Sequence, residues 1–420
     1  MGAATAVEKS ESEHAGNSLP RILALDAARG IAVLGMFAVH VGPPPEGPGF
    51  HWLSLFEGRS AALFAVLAGV SLALLSGGDH PYTGIAARRS VIRIASRAVL
   101  IFVLGLVLAQ LHSGIGIMII LAYYGVYFLL ALPLLRLSAR TLALLALVWA
   151  IAGPIVSFVI RSHMEQNQFG GHPVFEMFTS LSGLREMAEM LLLTGTYPAI
   201  SWMPFVLAGL AMGRLGIRSL RAVPVAASGA LLALLGYGGS WLIQHPGGGR
   251  AHLVDLLTQG MAEAGVTDFD PGLIIDVGGF GSVSTTSWWW LTVASPHSGT
   301  PFEVLGATGT AFLVIGVLMA VTRFAELPLR PLIYAGSCAL SLYILQMIAV
   351  RVLVPMPVDP DAQVLPGGLH GPGWELLALL AIGSLLLATL WRSVFRRGPA
   401  EWLLHKVTLW LTDVLAPVRA

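Results

Sequence analysis

Ten apolar segments, each long enough or nearly so to cross roughly 30 Å of hydrocarbon, follow one another along this chain. They run approximately 24–42, 60–76, 98–112, 115–135, 141–161, 199–215, 223–244, 302–322, 331–353 and 373–391. Backbone polar groups in lipid have to be satisfied within the segment, so each predicts a helix. The short loops carry arginine in every second position along the order: Arg88, Arg89, Arg93 and Arg97, then Arg136 and Arg140, then Arg214, Arg218 and Arg221, then Arg323 and Arg330, and finally Arg392, Arg396 and Arg397. That alternation is a positive-inside signal. The chain is therefore predicted to be an all-α polytopic membrane protein, a bundle of about ten transmembrane helices with N and C termini cytoplasmic, seated in the inner or plasma membrane of the cell.

Composition narrows the function classes. Hydrophobic residues make up 55% of the 420 and charged residues 11%, which excludes an ordinary soluble enzyme. A net charge of +1 gives no reason to expect a nucleic-acid partner. The single cysteine, Cys338, lies in an apolar segment, so neither an intrachain disulfide nor a thiolate metal cluster is expected. Residues 1–20 are polar, with Glu8, Lys9, Glu11 and Glu13 and no apolar core, and read as a disordered cytosolic tail. Residues 21–395 form the bundle, and residues 396–420 an amphipathic cytosolic tail.

The loops on the opposite side are longer and richer in Gly, Pro, His and acidic residues, the longest covering 162–198 and 245–301. Loops of this length are more often functional than idle. Gly183 to Leu193 has apolar positions at helical spacing that suit either an interfacial or a re-entrant helix. Trp288, Trp289 and Trp290 read as an aromatic belt at the outer headgroup level. Neither an internal repeat nor Gly/Pro-broken spans in matching halves are expected, which weighs against a repeat-built transporter.

One stretch stands apart. Between Gly30 and Val41 the first segment is apolar except for His40, and Asp26 and Arg29 precede it. On a helix Asp26 and Arg29 are neighbours able to form an ion pair. Arg29 and His40, eleven residues apart, return to within about 20° of the same face and stand about 16 Å apart along the axis. Helix-end arginines commonly serve topology alone, yet a cation and a titratable base on one face of an intramembrane helix mark a candidate site.

Further candidates gather at the outer level. His51, Glu57 and Arg59 open the second span, where Glu57 could orient a histidine ring and fix its tautomer. Ala61, Ala62, Ala65, Ala68 and Gly69 suit close approach to a neighbouring helix. Thr300, Pro301 and Glu303 spell a helix start, whereas His297 and Ser298 just before them lack that explanation. Ser337, Ser341, Tyr343 and Gln346 interrupt the ninth span and should face the bundle interior. His40, His51 and His297 share no helical turn, so no metal site is expected.

These residues carry a family resemblance. Leu25 to Gly35, reading LDAARGIAVLG, with Leu63 to Gly69, reading LFAVLAG, resembles the membrane acetyltransferases related to heparan-alpha-glucosaminide N-acetyltransferase. Gly209 to Leu215, Pro296 to Thr300 and the tail Arg396 to Leu404, with its Gly-Pro-x-Glu-Trp, resemble the related bacterial YeiB-type membrane proteins. The spacing from Arg29 to His40 is similar to that in the first helix of the acyltransferase-3 family, whose histidine is taken as catalytic. In heparan-type and YeiB-type relatives the position of His40 is usually asparagine, and the heparan-type catalytic histidine lies in the loop where His51 is the nearest match. Both histidines stay open as the base, with His40 first.

The resemblance implies acyl transfer from cytosolic acetyl-CoA, or another acyl-CoA, to an extracytoplasmic amino sugar or hydroxyl of a cell-envelope glycan or glycolipid. His40 or His51, with Glu57, would act as base or covalent carrier. Asp26, Arg29, Arg93, Arg97 and Arg214 would meet the donor, since guanidinium suits phosphate. Arg59, His297, Ser298 and Gln346 would hold the acceptor. The lipid bilayer is the remaining partner, and a homodimer stays open. The alternative is a transporter or flippase with Arg29 and His40 in its pathway.

Overall fold

The computed structural model describes residues 21–43, 52–112, 118–164, 170–266, 268–277, 279–353 and 373–417. His51 and residues 1–20 lie outside them, as do most of the loops 43–51 and 354–372. The described residues form helices and connecting loops, without strands, and the molecule is a multi-pass membrane protein.

The helices are α1 (Leu23–Val41), α2 (Arg59–Leu75), α3 (Gly84–Leu111), α4 (Leu121–Ala131), α5 (Ala139–Arg161), α6 (Leu181–Glu189), α7 (Ala199–Arg214), α8 (Ala222–Gln244, with a π turn at Leu234–Gly238), α9 (Gly249–Glu263), α10 (Pro271–Val277), α11 (Pro301–Val321), α12 (Glu326–Ser337), α13 (Ala339–Leu353), α14 (Trp374–Val394) and α15 (Pro399–Leu415). Over their described residues the ten apolar segments each overlap these helices, the fourth meeting α4 only over Leu121–Ala131 and the ninth divided between α12 and α13. Among the described residues seven helices are long and apolar enough to cross a membrane, or up to nine if each of two bent pairs is one span.

The two bends are not visible in the hydropathy. Leu181–Thr194 meets Ala199–Arg214 at 57°, across Gly195 to Pro198, and Glu326–Ser337 meets Ala339–Leu353 at 71°, across Cys338. The second bend corrects the expectation of one unbroken span over 331–353, while the first lies where the sequence left a re-entrant helix open. At Cys338 the explanation lies elsewhere in the chain. The Glu401 carboxylate, from the first turn of α15, accepts hydrogen bonds from Leu340 N at 2.7 Å and Ser341 N at 3.2 Å, and from the Ser341 hydroxyl. It satisfies the open N–H groups of the half-helix α13, as a charged cap does at any helix start.

α1, α2, α7 and α11 form the centre, and α3, α5, α8 and α14 expose apolar faces around it. The small residues of α2 do what their size allows. A Cβ on Gly69 would lie 2.0 Å from Val206 O, and one on Gly209 1.9 Å from Val66 O, so the backbones of α2 and α7 touch. Only glycine fits at either position. α15 packs along α3, where Arg89 pairs with Asp413.

Candidate functional site

α1 carries its polar groups at its two ends, and the structure gives each a surrounding. At the N-terminal end the expected ion pair forms: Arg29 Nη1 lies 2.8 Å from Asp26 Oδ1, and Arg29 Nη2 donates to Ser71 Oγ of α2 at 2.8 Å. Arg21 approaches the same carboxylate at 3.7 Å. Asp26 is buried, so its partners are what permit its charge there.

Arg93 and Arg97, on α3, point to the same end. Arg97 is within electrostatic reach of Arg29, Arg397 and Glu401. Neither Arg93 nor Arg97 has a hydrogen-bond or ion-pair partner among the described residues, and Arg93 Nε is buried. His405 on α15 completes the cluster; burial first, and then Arg397, Arg93 and Arg97, push its imidazole down to about 4. Arg214 is placed differently. Its guanidinium donates to the carbonyls of Ala73, Gly78 and Leu135 and to Ser76 Oγ, tying the end of α7 to the loop after α2 and the turn after α4. Four bonds leave it buried and occupied by the fold.

At the other end of α1, His40 faces a cavity of about 30 Å³, whose walls come from α1, α2, α13, the turn at Gly58 and the loop before α11. That volume suits about two waters. Gln346, from α13, meets His40 Nδ1 through its Nε2 at 2.9 Å, and the same Nε2 lies 3.5 Å from Met36 O. With the amide nitrogen donating, the ring proton sits on Nε2 of His40; turning the amide over reverses the tautomer. Gln346 therefore sets which nitrogen carries the proton.

His297 lines the same cavity from the opposite wall. It holds a left-handed backbone, φ 56°, within a turn closed by Ser298 N to Ser295 O at 3.2 Å. Its ring stacks on Trp202 at 5.9 Å and meets Tyr197 edge-on at 5.4 Å. The His297 carbonyl accepts from Gly281 N at 2.7 Å, so the long outer loop braces the turn. A non-glycine residue in this conformation costs of order 1 kcal/mol and persists because its surroundings fix it. Burial, then His40, pushes the His297 imidazole down to about 4. His297 Nδ1, Tyr343 Oη and Gln346 Oε1 are buried polar atoms without a hydrogen bond among the described residues; His297 and Tyr343 line the cavity, and Gln346 stands against His40.

The other outer candidates lie next to the cavity. Glu57 is half-buried in the turn before α2, adjacent to the lining residue Gly58. Arg59 turns the opposite way: its Nε donates to Tyr237 Oη at 3.0 Å, its Nη1 to Ser54 O at 2.9 Å, and its guanidinium stacks on the Tyr237 ring at 4.7 Å. Arg59 is also within electrostatic reach of Glu303, which is 2% exposed. Glu303 is thus more than a helix-start residue. Thr300 caps α11 as its sequence predicts, accepting from Glu303 N at 3.2 Å, and Ser298 Oγ lies 3.5 Å from the Thr300 hydroxyl.

Two residues of this region had no sequence signal of their own. His112 reads as part of a turn, yet it is 1% exposed, with Nδ1 3.0 Å from Leu108 O and Nε2 2.9 Å from Met347 O, which locks α3 to the residue beside Gln346. His172, in the outer loop, is within electrostatic reach of His112; burial first and then His112 lower its pKa. Among the described residues no group of His, Cys, Asp or Glu is arranged to hold a metal ion.

The chemistry of this arrangement is that of a small, partly open pocket with two imidazoles and two phenols around it, at the far end of a helix whose start carries arginines. Residues 272–411 match the family described as protein of unknown function (DUF418), which holds His297 and Gln346. Residues 21–241, just over half of the chain, match the family described as heparan-alpha-glucosaminide N-acetyltransferase, catalytic, which holds His40 and the Arg29 cluster. The cavity is built from both matched regions. No curated protein matches the chain. With the extended match across α1 to α8, the chain belongs to the heparan-alpha-glucosaminide N-acetyltransferase catalytic family, and so among the membrane acetyltransferases.

Proposed function

We propose that the protein moves an acetyl group from acetyl-CoA, bound at the arginine-rich end, to an amine or hydroxyl of an amino sugar on a cell-envelope glycan or glycolipid at the other end. The arginine-rich loops and both termini then face the cytoplasm of a cell whose inner or plasma membrane holds the protein. The observation that carries the reading is the convergence of His40, His297 and Tyr343 on one cavity at the end of α1 opposite Arg29, with Gln346 bonded to His40 beside it. Arg93 and Arg97, without anionic partners, are suited to the phosphates of the donor, with Arg29 beside them.

In this reading the Gln346 amide is turned so that its Oε1 accepts from His40 Nδ1–H, and the acceptor N–H or O–H loses its proton to the freed Nε2 of His40 as its lone pair attacks the thioester carbonyl. The new C–N or C–O bond forms, the C–S bond breaks, and the imidazolium returns the proton to the CoA thiolate. Tyr343 Oη and His297 supply donors for the oxyanion of the tetrahedral intermediate. His51 stays the second candidate for the base, with Glu57 as its orienting carboxylate. An acetyl group needs more room than two waters, and the flexible Met36 and Met118 on the walls give it. Arg214, held by the fold, contributes through the shape of the arginine-rich end.

One observation favours a transport reading: the two bent helix pairs, since transporters use discontinuous helices at their sites. A single experiment separates the two. Purified protein is incubated with radiolabelled acetyl-CoA and glucosamine, and CoA release is followed for wild type, His40→Ala, His51→Ala and His297→Ala. CoA release abolished by His40→Ala supports transfer through His40, and abolition by His51→Ala alone moves the base to His51. A wild type that releases no CoA and transfers no label refutes the transferase and leaves transport.

A further inference from the structure

A second cavity, of about 450 Å³, opens at the arginine-rich end between the loop after α2, the first turns of α3 and the turn that follows α4. Its rim carries Arg88 and Arg136, both exposed, and neither has a hydrogen-bond or ion-pair partner among the described residues. Its floor includes Ser76 and Leu135, whose hydroxyl and carbonyl hold the buried guanidinium of Arg214 from behind. Arg214 has no carboxylate partner among the described residues; Asp79, the one acid of that loop, lies instead 3.8 Å from His80. Three cations therefore surround a cavity without a counter-ion. α3 starts here as well, with Thr83 making no side-chain cap.

The walls are of the opposite character. Val91, Ile92, Leu132 and Pro133 line the cavity and run into the exposed apolar faces of α3, at Val99, Val103 and Val107, and of α4, at Leu129 and Leu130. Val99, Val103 and Val107 are four residues apart, on one helix face, which is what a lipid-facing surface presents. A ligand that fits has a negative head for the arginines and an apolar body continuous with the bilayer. Basic pockets between membrane helices at headgroup level recognise anionic phospholipids in this way.

We infer that the cavity bounded by Arg88, Arg136 and the apolar walls of α3 and α4 is a binding site for one anionic phospholipid, its phosphate between the two arginines and its acyl chains along α3. This site is separate from the His40 cavity and does not depend on acetyl transfer. Arg88 and Arg136 select the head by charge, and Arg214 supplies a fixed positive floor.

The test uses the full chain in phosphatidylcholine nanodiscs doped with phosphatidylglycerol, re-extracted in detergent, with co-purifying lipid quantified by mass spectrometry. Each arginine at headgroup level is worth about fivefold in affinity, so Arg88→Gln and Arg136→Gln each retain about fivefold less phosphatidylglycerol and the double variant about twenty-five-fold less. Leu132→Trp, which fills the cavity and keeps both charges, gives the same loss. Arg323→Gln, at an exposed basic position that does not line the cavity, keeps wild-type retention. Wild-type retention in the double variant overturns the site, as does an equal loss in Arg323→Gln, which would mean a diffuse field. Displacement of the lipid by CoA or by inorganic phosphate alone also overturns it, by assigning the cavity to a soluble anion.

Discussion

Replacing Gln346 by leucine isolates the role of the tautomer at His40. The substitution removes one hydrogen bond, Nε2 to His40 Nδ1 at 2.9 Å, and with it the long contact to Met36 O. A neutral hydrogen bond contributes about 0.5 to 1.5 kcal/mol, so losing the bond that orients the ring lowers kcat/KM by about two- to thirteen-fold. Stability moves much less. Gln346 Oε1 is buried without a partner, and removing an unsatisfied acceptor regains about 1 to 3 kcal/mol, which offsets the bond lost by Nε2. The expected signature is reduced CoA release with an unfolding midpoint at or above that of wild type. In a His40→Ala background Gln346→Leu should change nothing further, because a positioning residue acts through the group it positions. Undiminished CoA release from Gln346→Leu, or an equal additional loss in the His40→Ala background, would refute the reasoning.

Gly209→Ala puts a Cβ 1.9 Å from Val66 O and forces α2 and α7 apart, a loss of about 1 to 3 kcal/mol visible as a lower thermal midpoint in detergent; an unchanged midpoint contradicts the described contact. His297, held near 4 against 6.5 unfolded, favours the neutral form in the folded state, so its contribution is complete above pH 6.5 and is lost as pH falls toward 4. The sign follows because the unfolded chain binds the extra proton in that window. His297→Asn, which tolerates the left-handed backbone, should flatten the fall in thermal midpoint over that range by up to about 3 kcal/mol. Glu401→Gln removes the charge that caps α13 and should cost about 1 kcal/mol, while Leu340 and Ser341 amides gain faster hydrogen exchange. Exchange at those amides that stays at the wild-type rate would show that another group caps the helix.

The apolar segments and arginine-bearing loops were legible because lipid imposes length and apolarity on each span separately, without reference to its neighbours. So was the Asp26–Arg29 pair, which is local to one helix. Gln346 could be read as interior because polar groups in lipid need partners, though not as the partner of His40, since 306 residues separate them in the chain. The bonds of Arg214 were not legible for a similar reason: donation to three carbonyls from three segments looks, in sequence, like any other arginine of a basic loop. His112 is masked by its place at a helix end, where a solvated histidine is ordinary. The bend at Cys338 escaped because hydropathy averages across a break, and it is stabilised by a carboxylate sixty residues downstream.

That arrangement has a consequence for biosynthesis. The half-helix starting at Ala339 is finished before Glu401 has been made. At about 5 to 20 residues per second the ribosome takes some 3 to 12 s to supply the capping residue, and longer to free it from the exit tunnel. Until Glu401 arrives, the amides at the start of α13 lack this cap, and α13 is the wall that carries Gln346 and Tyr343. A premature stop between α13 and the Gly-Pro-x-Glu-Trp motif therefore yields a chain whose α13 lacks its cap, a natural substrate for membrane quality control. Assembly of the site is timed by the helix that carries Glu401.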